Sequence, residues 1–169
     1  MTLTRPTPFA LLAYGVALTA IVLDQLTKLW VLTRLDMQLG QTIEVSPIFD
    51  LTYTLNTGVS FGLLSGGEAR WLLSIFSVGV AVALGWWVRN APRRLFSVAI
   101  GLIMGGALGN VIDRIRVGAV VDFLDFSGLM FPYIFNIADA AISVGVALLV
   151  LDSFLHERAA PVGSAPQKE

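Results

Sequence analysis

Four long apolar stretches, separated by two polar loops and one short basic turn, set the plan of this chain. They run from about Phe9 to Leu32, Trp71 to Val88, Leu95 to Ile112 and Phe135 to Phe154. Each approaches the ~20 apolar residues that a helix needs to cross a bilayer. The second and third are the shorter ones, bounded by charge or by Pro92. The first is long, lacks a convincing small-x-small cleavage site and carries Asp24 and Lys28 near its end, so it reads as an uncleaved anchor. In the first long loop the period changes. Thr42-Ile-Glu-Val-Ser and Phe49-Asp-Leu-Thr-Tyr-Thr-Leu55 alternate and are rich in β-branched and aromatic residues, with Pro47 between them and Asn56-Thr-Gly58 after them. That pattern predicts a small sheet or hairpin on the membrane surface.

Charge orients the spans. Arg89-Asn-Ala-Pro-Arg-Arg94 has three arginines and no acid, so it reads as a cytoplasmic turn. Four spans then place both termini in the cytoplasm, with the loops at about 33–70 and 113–134 outside. The chain is 56% hydrophobic and 14% charged, where soluble domains have about a quarter charged. One membrane domain over 1–158 and a disordered cytoplasmic tail over 159–169 are expected. The net charge of −1 gives no sign of nucleic-acid binding. With no cysteine and His156 as the lone histidine, a Ser-His-Asp triad, a Cys-His pair and an H-E-x-x-H zinc site are improbable or excluded. No metal and no cofactor are expected.

Two carboxylates then stand out. Asp122 lies in the apolar run Gly118–Phe126, and Asp139 opens the last apolar stretch in Phe135-Asn-Ile-Ala-Asp139. An ionisable residue in such surroundings is a functional hypothesis by default. Two aspartates that share one proton split their pKa values, as aspartyl-protease chemistry requires. A polar set accompanies them. Asp24 and Lys28 are four apart on one helical face, where they can pair, or form a neutralised helix end with the lysine reaching the interface. Asn56-Thr-Gly-Val-Ser-Phe61 is either a backbone-binding loop or an ordinary turn. Asn110 and Asp113 share the last turn of the third span, and Asp113 beside Arg114 suggests an ion pair. Asn136 and Asp139 are also three apart. Asp125 reads as solvated and structural. A dyad of Ser60 or Ser65 with Lys28 is conceivable, without support from the spacing. Gly101, Gly105 and Gly109, with Gly106 beside them, form a small-residue face for close helix packing.

In order and spacing, five blocks resemble the lipoprotein signal peptidases, the bacterial signal peptidase II family. They are Asp24-Gln-Leu-Thr-Lys28, Asn56-Thr-Gly-Val-Ser-Phe61, Gly106-Ala-Leu-Gly-Asn-Val-Ile-Asp-Arg114, Gly118-Ala-Val-Val-Asp-Phe-Leu-Asp-Phe126 and Phe135-Asn-Ile-Ala-Asp139. The resemblance covers the chain from Asp24 to about Asp152. It implies a four-helix membrane bundle with a small extracytoplasmic β-cradle and a short helix on the outer surface. It implies an intramembrane aspartic endopeptidase of the inner membrane that cuts prolipoproteins before a diacylglyceryl-modified cysteine, near the outer face. It makes Asp122 and Asp139 the catalytic pair. Asn56, Asn110, Asp113, Arg114 and Asn136 would line the site, with Asp24 and Lys28 in support. The partners implied are the lipidated prolipoprotein and membrane lipid, with the enzyme a monomer. Val59 stands where alanine is commoner in the family, and Ser127 to Tyr133 is short and apolar. Both departures bear on loop contacts and substrate preference. Two rival functions are a proton-coupled carrier using Asp24, Asp122 and Asp139 as a relay, and a non-catalytic scaffold built on the glycine face.

Overall fold

The computed structural model describes residues 7–58 and 68–157. Val59, Ser60, Ser65 and the tail over 159–169 lie outside the described residues. Four helices, α1 (Pro8–Thr33), α2 (Glu68–Trp87), α3 (Arg94–Arg116) and α4 (Ile137–Glu157), are long and apolar enough to cross a membrane. Four strands, β1 (Thr42–Ser46), β2 (Phe49–Asn56), β3 (Val120–Asp125) and β4 (Ile134–Phe135), form one antiparallel sheet in the order β1-β2-β3-β4.

α3 is the hub. It packs against α1, α2 and α4, and it is the most buried of the four helices. Its small residues explain this. A Cβ on Gly101 would stand 2.5 Å from the Ala13 carbonyl oxygen, and one on Gly105 would stand 2.6 Å from that of Ala17. A Cβ on Gly106 would strike the Ala138 carbonyl of α4. The expected glycine face therefore serves two neighbours, α1 and α4. α1 answers with a stripe of Ala10, Ala13, Ala17, Ala20, Asp24, Lys28 and Val31, all buried and spaced three or four apart. One half of that stripe is alanine, and the other half turns ionic where the sheet begins. Leu11, Leu18, Ile75, Phe76 and Val82 face outward, as lipid-facing side chains do.

The bundle has two unlike ends. At one, the amide of Thr7 donates to the Arg89 carbonyl at 3.1 Å, and Arg93 pairs with the buried Asp152 of α4. Both ends of the described chain therefore lie beside the arginine-rich turn. At the other end sits the sheet.

The expected hairpin is present as β1 and β2. β3 and β4 were not expected. Val120 to Phe123 are buried on both faces, so the strand shows no alternation and reads as an apolar run. Several helix ends also differ from expectation: α2 begins at Glu68, three residues before Trp71, and α4 ends at Glu157, three beyond Phe154. α3 runs one turn beyond Ile112, because Asp113 finds buried partners there. α4 begins at Ile137 and not at Phe135, because Phe135 belongs to β4 and Asn136 caps the helix.

The glycine contacts generate a prediction. Gly105→Ala should lower the thermal stability of the detergent-solubilised protein by roughly 1–3 kcal/mol, since the new methyl meets backbone that cannot yield. Gly79→Ala, with open space around it, should be neutral or slightly stabilising.

Candidate active site

The sheet and the bundle meet at a set of buried polar side chains. Asp122 projects from β3, is 1% exposed, and lies opposite Thr54 of β2. Its Oδ1 accepts from Asn136 Nδ2 at 2.7 Å and its Oδ2 from Asn56 Nδ2 at 3.0 Å. Asn56 is held in turn by Gly58, whose amide donates to Asn56 Oδ1 at 2.9 Å. Gly58 has φ +77°, a conformation that suits glycine.

Asp139 stands in the first turn of α4 and is half-buried. Asn136 and Asp139 cap that helix reciprocally. The Asp139 amide donates to Asn136 Oδ1 at 2.9 Å, and the Asn136 amide donates to Asp139 Oδ2 at 3.3 Å. Asn110 of α3 donates to Asp139 Oδ1 at 2.8 Å. Asn136 thus touches both carboxylates, one through its side chain and one through its backbone. Asn110 closes the group by accepting from Asn136 Nδ2 at 3.2 Å.

Beneath lies an ionic cluster. Lys28 is 3% exposed and does not reach for the interface. Its Nζ meets Asp113 Oδ2 at 2.7 Å, Asp24 Oδ2 at 2.8 Å and Asn110 Oδ1 at 3.3 Å. Three N–H donors find three acceptors, the condition under which a buried ammonium is tolerable. Asp24 Oδ1 accepts the Ala138 amide at 2.9 Å, and Asp113 Oδ2 accepts the Val121 amide at 3.1 Å.

The expected Asp113–Arg114 pair is corrected here: Asp113 pairs with Lys28. Adjacent helical residues do not face each other, so Asp113 turns toward α1 while Arg114 turns away. The Arg114 Nε is buried and finds no hydrogen-bond partner among the described residues. Arg114, Asn110 and Asp139 border a cavity of about 350 Å³ between α2, α3 and α4. Asp139 also borders a second cavity of about 580 Å³, lined by Phe126, Leu129, Phe131, Tyr133 and Phe135. The half-exposed aspartate therefore stands between two openings with apolar walls.

All nine residues expected at the site, Asp24, Lys28, Asn56, Asn110, Asp113, Arg114, Asp122, Asn136 and Asp139, converge in this region. Gln25 was missed. Its Nε2 bridges Asp113 Oδ1 at 2.9 Å and Asp24 Oδ2 at 3.1 Å. An amide next to Asp24 in an apolar helix was the signal available. Asp125, read as structural, accepts from the Ser127 amide and the Thr52 hydroxyl. These bonds hold its carboxyl below the ordinary range. Among the described residues no group of three or more His, Asp or Glu side chains is arranged to hold a metal ion.

Asp122 behaves differently from Asp125. Burial, the largest influence, pushes its pKa up to about 6; the Asn56 bond opposes this and the nearby Asp139 charge adds to it. A buried carboxyl that holds a proton near neutrality, beside a more exposed one, is the arrangement of an acid–base pair.

Comparison with known proteins agrees with this geometry. The family model for signal peptidase (SPase) II matches residues 16–155. A lipoprotein signal peptidase of Caulobacter vibrioides is 52% identical over 148 residues, spanning 86% of this chain and 88% of the relative. One from Shewanella halifaxensis is 47% identical over 148 residues, spanning 84% and 85%. A solved bacterial membrane enzyme superposes with a TM-score of 0.79 at 29% identity, over 97% of this chain and all of that one.

The raised pKa has a signed consequence for stability. The native state keeps the Asp122 proton up to about pH 6, whereas an unfolded carboxyl releases it near 3.8. The stabilisation is complete below 3.8 and lost as pH rises through about 6. Thermal melting between pH 4 and pH 7 should therefore fall more steeply in the wild type than in Asp122→Asn. Equal slopes would contradict the assignment.

Proposed function

The chain belongs to the signal peptidase II family, whose members cleave signal peptides from prolipoproteins, and on that premise we propose that Asp122 and Asp139 are its catalytic pair. The observation that carries the proposal is Asn136. Its side-chain amide binds Asp122 at 2.7 Å and its backbone amide binds Asp139 at 3.3 Å, so one residue seats both carboxyls. The chain is a multi-pass membrane protein of a bacterial family and an aspartic-type protease.

One carboxyl is ionised and takes a proton from water. The other is protonated and donates to the scissile carbonyl. Water oxygen bonds to the carbonyl carbon, giving a tetrahedral gem-diol. The C–N bond then breaks as one carboxyl protonates the leaving amine and the other takes back a proton from a gem-diol hydroxyl, leaving the new carboxylic acid. The pair returns to its one-proton state without a covalent intermediate. Two adjacent carboxylates resist double ionisation, and the raised Asp122 pKa supports a proton residing on the pair up to about pH 6.

The other polar residues hold the pair or its substrate. Asn56 and Asn136 fix Asp122, and Asn110 fixes Asp139. The Arg114 Nε, without a hydrogen-bond partner among the described residues and at the cavity that also contains Asp139, suits a peptide carbonyl. Apolar walls on both sides of Asp139 suit a substrate whose cysteine carries diacylglycerol. Such chains partition into a bilayer with about 0.8 kcal/mol per buried CH₂, which localises the cleavage point beside the bundle. The three arginines of the 89–94 turn favour the cytoplasm for that end, and hence both termini inside and the site near the outer face of the inner membrane. One domain over 1–158 carries every element of the site, and this supports a monomeric enzyme.

Cleavage of a diacylglyceryl-modified prolipoprotein in detergent tests the reading. Asp122→Asn and Asp139→Asn should each lose roughly 10³-fold or more of kcat while remaining folded. The same peptide without its lipid should be a much poorer substrate. Wild-type turnover in either variant would remove that aspartate from the mechanism. Asn56→Ala should keep part of the activity and move the Asp122 titration upward, because the lost hydrogen bond favours the ionised form.

A further inference from the structure

The ionic cluster reaches each of the two proposed catalytic aspartates in the same way. Asp113 accepts the amide of Val121, the residue immediately before Asp122. Asp24 accepts the amide of Ala138, the residue immediately before Asp139. Both of these carboxylates meet on the Lys28 ammonium, at 2.7 and 2.8 Å. We propose that Lys28 is a positioning residue for the reaction: its ammonium ties together two carboxylates that each hold the backbone just before one catalytic aspartate, and so it sets the separation of the pair. This inference rests on the reading of Asp122 and Asp139 as that pair.

The physical need is plain. Asp122 rides on a strand and Asp139 on a helix, and strand and helix share no hydrogen-bond register. Between them run the 127–129 turn and the two-residue β4. A pair that shares a proton must nonetheless be held to a fraction of an ångström. Two arms of identical construction, ammonium to carboxylate to amide, meet that need from a single point. The third N–H of Lys28 points to Asn110 Oδ1 at 3.3 Å, and Asn110 Nδ2 donates to Asp139. All three donors of the lysine are thus spent on groups that bind the pair or the residue beside it.

The surroundings leave the cluster little freedom. A Cβ on Gly109 would stand 2.7 Å from Asp24 Oδ2, so α3 backs directly onto that carboxylate. Gln25 spans Asp24 and Asp113, and Arg116 steadies Gln25 through its Oε1 at 3.3 Å. Stability alone does not account for such a cluster, because a buried ion network is commonly no more stabilising than well-packed apolar residues. The charged and titratable groups facing the pair are Asp24 and Lys28 from α1, Asp113 and Arg114 from α3, Asp122 from β3 and Asp139 from α4.

Steady-state cleavage per folded molecule, measured across pH for wild type, Lys28→Met and Lys28→Arg, tests the proposal. The Met variant should lose roughly 10- to 100-fold in kcat with KM within about twofold, as misplacement of reacting groups does. The two limbs of its bell-shaped pH profile should also converge, because carboxyls held farther apart couple less. Lys28→Arg keeps the charge but changes its reach, and should show the same convergence with a smaller loss. A purely structural lysine would reduce the folded fraction and leave the kcat and pH profile of the surviving molecules at wild-type values; that result overturns the proposal. If the Met variant does not fold, the Arg variant decides on the same criterion. Asp122→Asn and Asp139→Asn run alongside as separate controls. Activity retained in those would overturn the catalytic pair itself, whereas a wild-type profile in the Lys28 variants would overturn positioning alone.

Discussion

A buried ammonium must have all its protons accepted, and that constraint organises this molecule. Lys28 sits inside a bundle whose other contacts are mainly alanine, glycine and aliphatic side chains. Removing its charge from water is tolerable only because Asp24, Asp113 and Asn110 surround it. Those partners come from two helices, so α1 and α3 are fixed at one height and rotation. Close approach of the two helices depends on glycine at 101 and 105, where any side chain would collide with α1 backbone. Packing and electrostatics therefore specify the same geometry, which is the consistency expected of a sequence with one structure.

From that fixed point the site is assembled by hydrogen bonds to backbone as much as to side chains. Asp24 takes an amide at the start of α4 that no helical carbonyl can satisfy. Asp113 takes an amide of β3. Asn136 both caps α4 and binds Asp122, so the start of a membrane-spanning helix and the buried strand are joined through one side chain. The aspartates end in different settings. Asp122 is enclosed and carries a raised pKa, whereas Asp139 is half-exposed between two cavities. In the proposed reaction this pair would hold one proton between them, because two close carboxylates do not readily both ionise.

Much of this was legible in the chain. Four apolar runs gave the spans, alternation gave the β1–β2 hairpin, and ionisable residues in apolar surroundings pointed to Asp122 and Asp139. Three things were not legible, each for a physical reason. β3 hides its period because both its faces are buried. The partner of Asp113 lies 85 positions away on α1, and local spacing favoured its neighbour Arg114, which faces elsewhere. Of the two readings of Lys28, pairing with Asp24 is present, while reach to the interface is not, because single-residue reasoning sees a long amphipathic side chain and not the three acceptors that gather around it. The span ends were displaced by one to four residues, the most at the end of α3, which runs on to Arg116.

The central claim is that Asp122 and Asp139 share one proton at the pH of catalysis. Infrared difference spectroscopy on the protein in detergent or bilayer, with carboxyl bands assigned by Asp→Asn substitution, measures this directly. The account predicts one protonated carboxyl band below about pH 6 that disappears in Asp122→Asn and shifts in Asp139→Asn. A spectrum with no protonated carboxyl below about pH 6, or with a band that neither substitution alters, would contradict it.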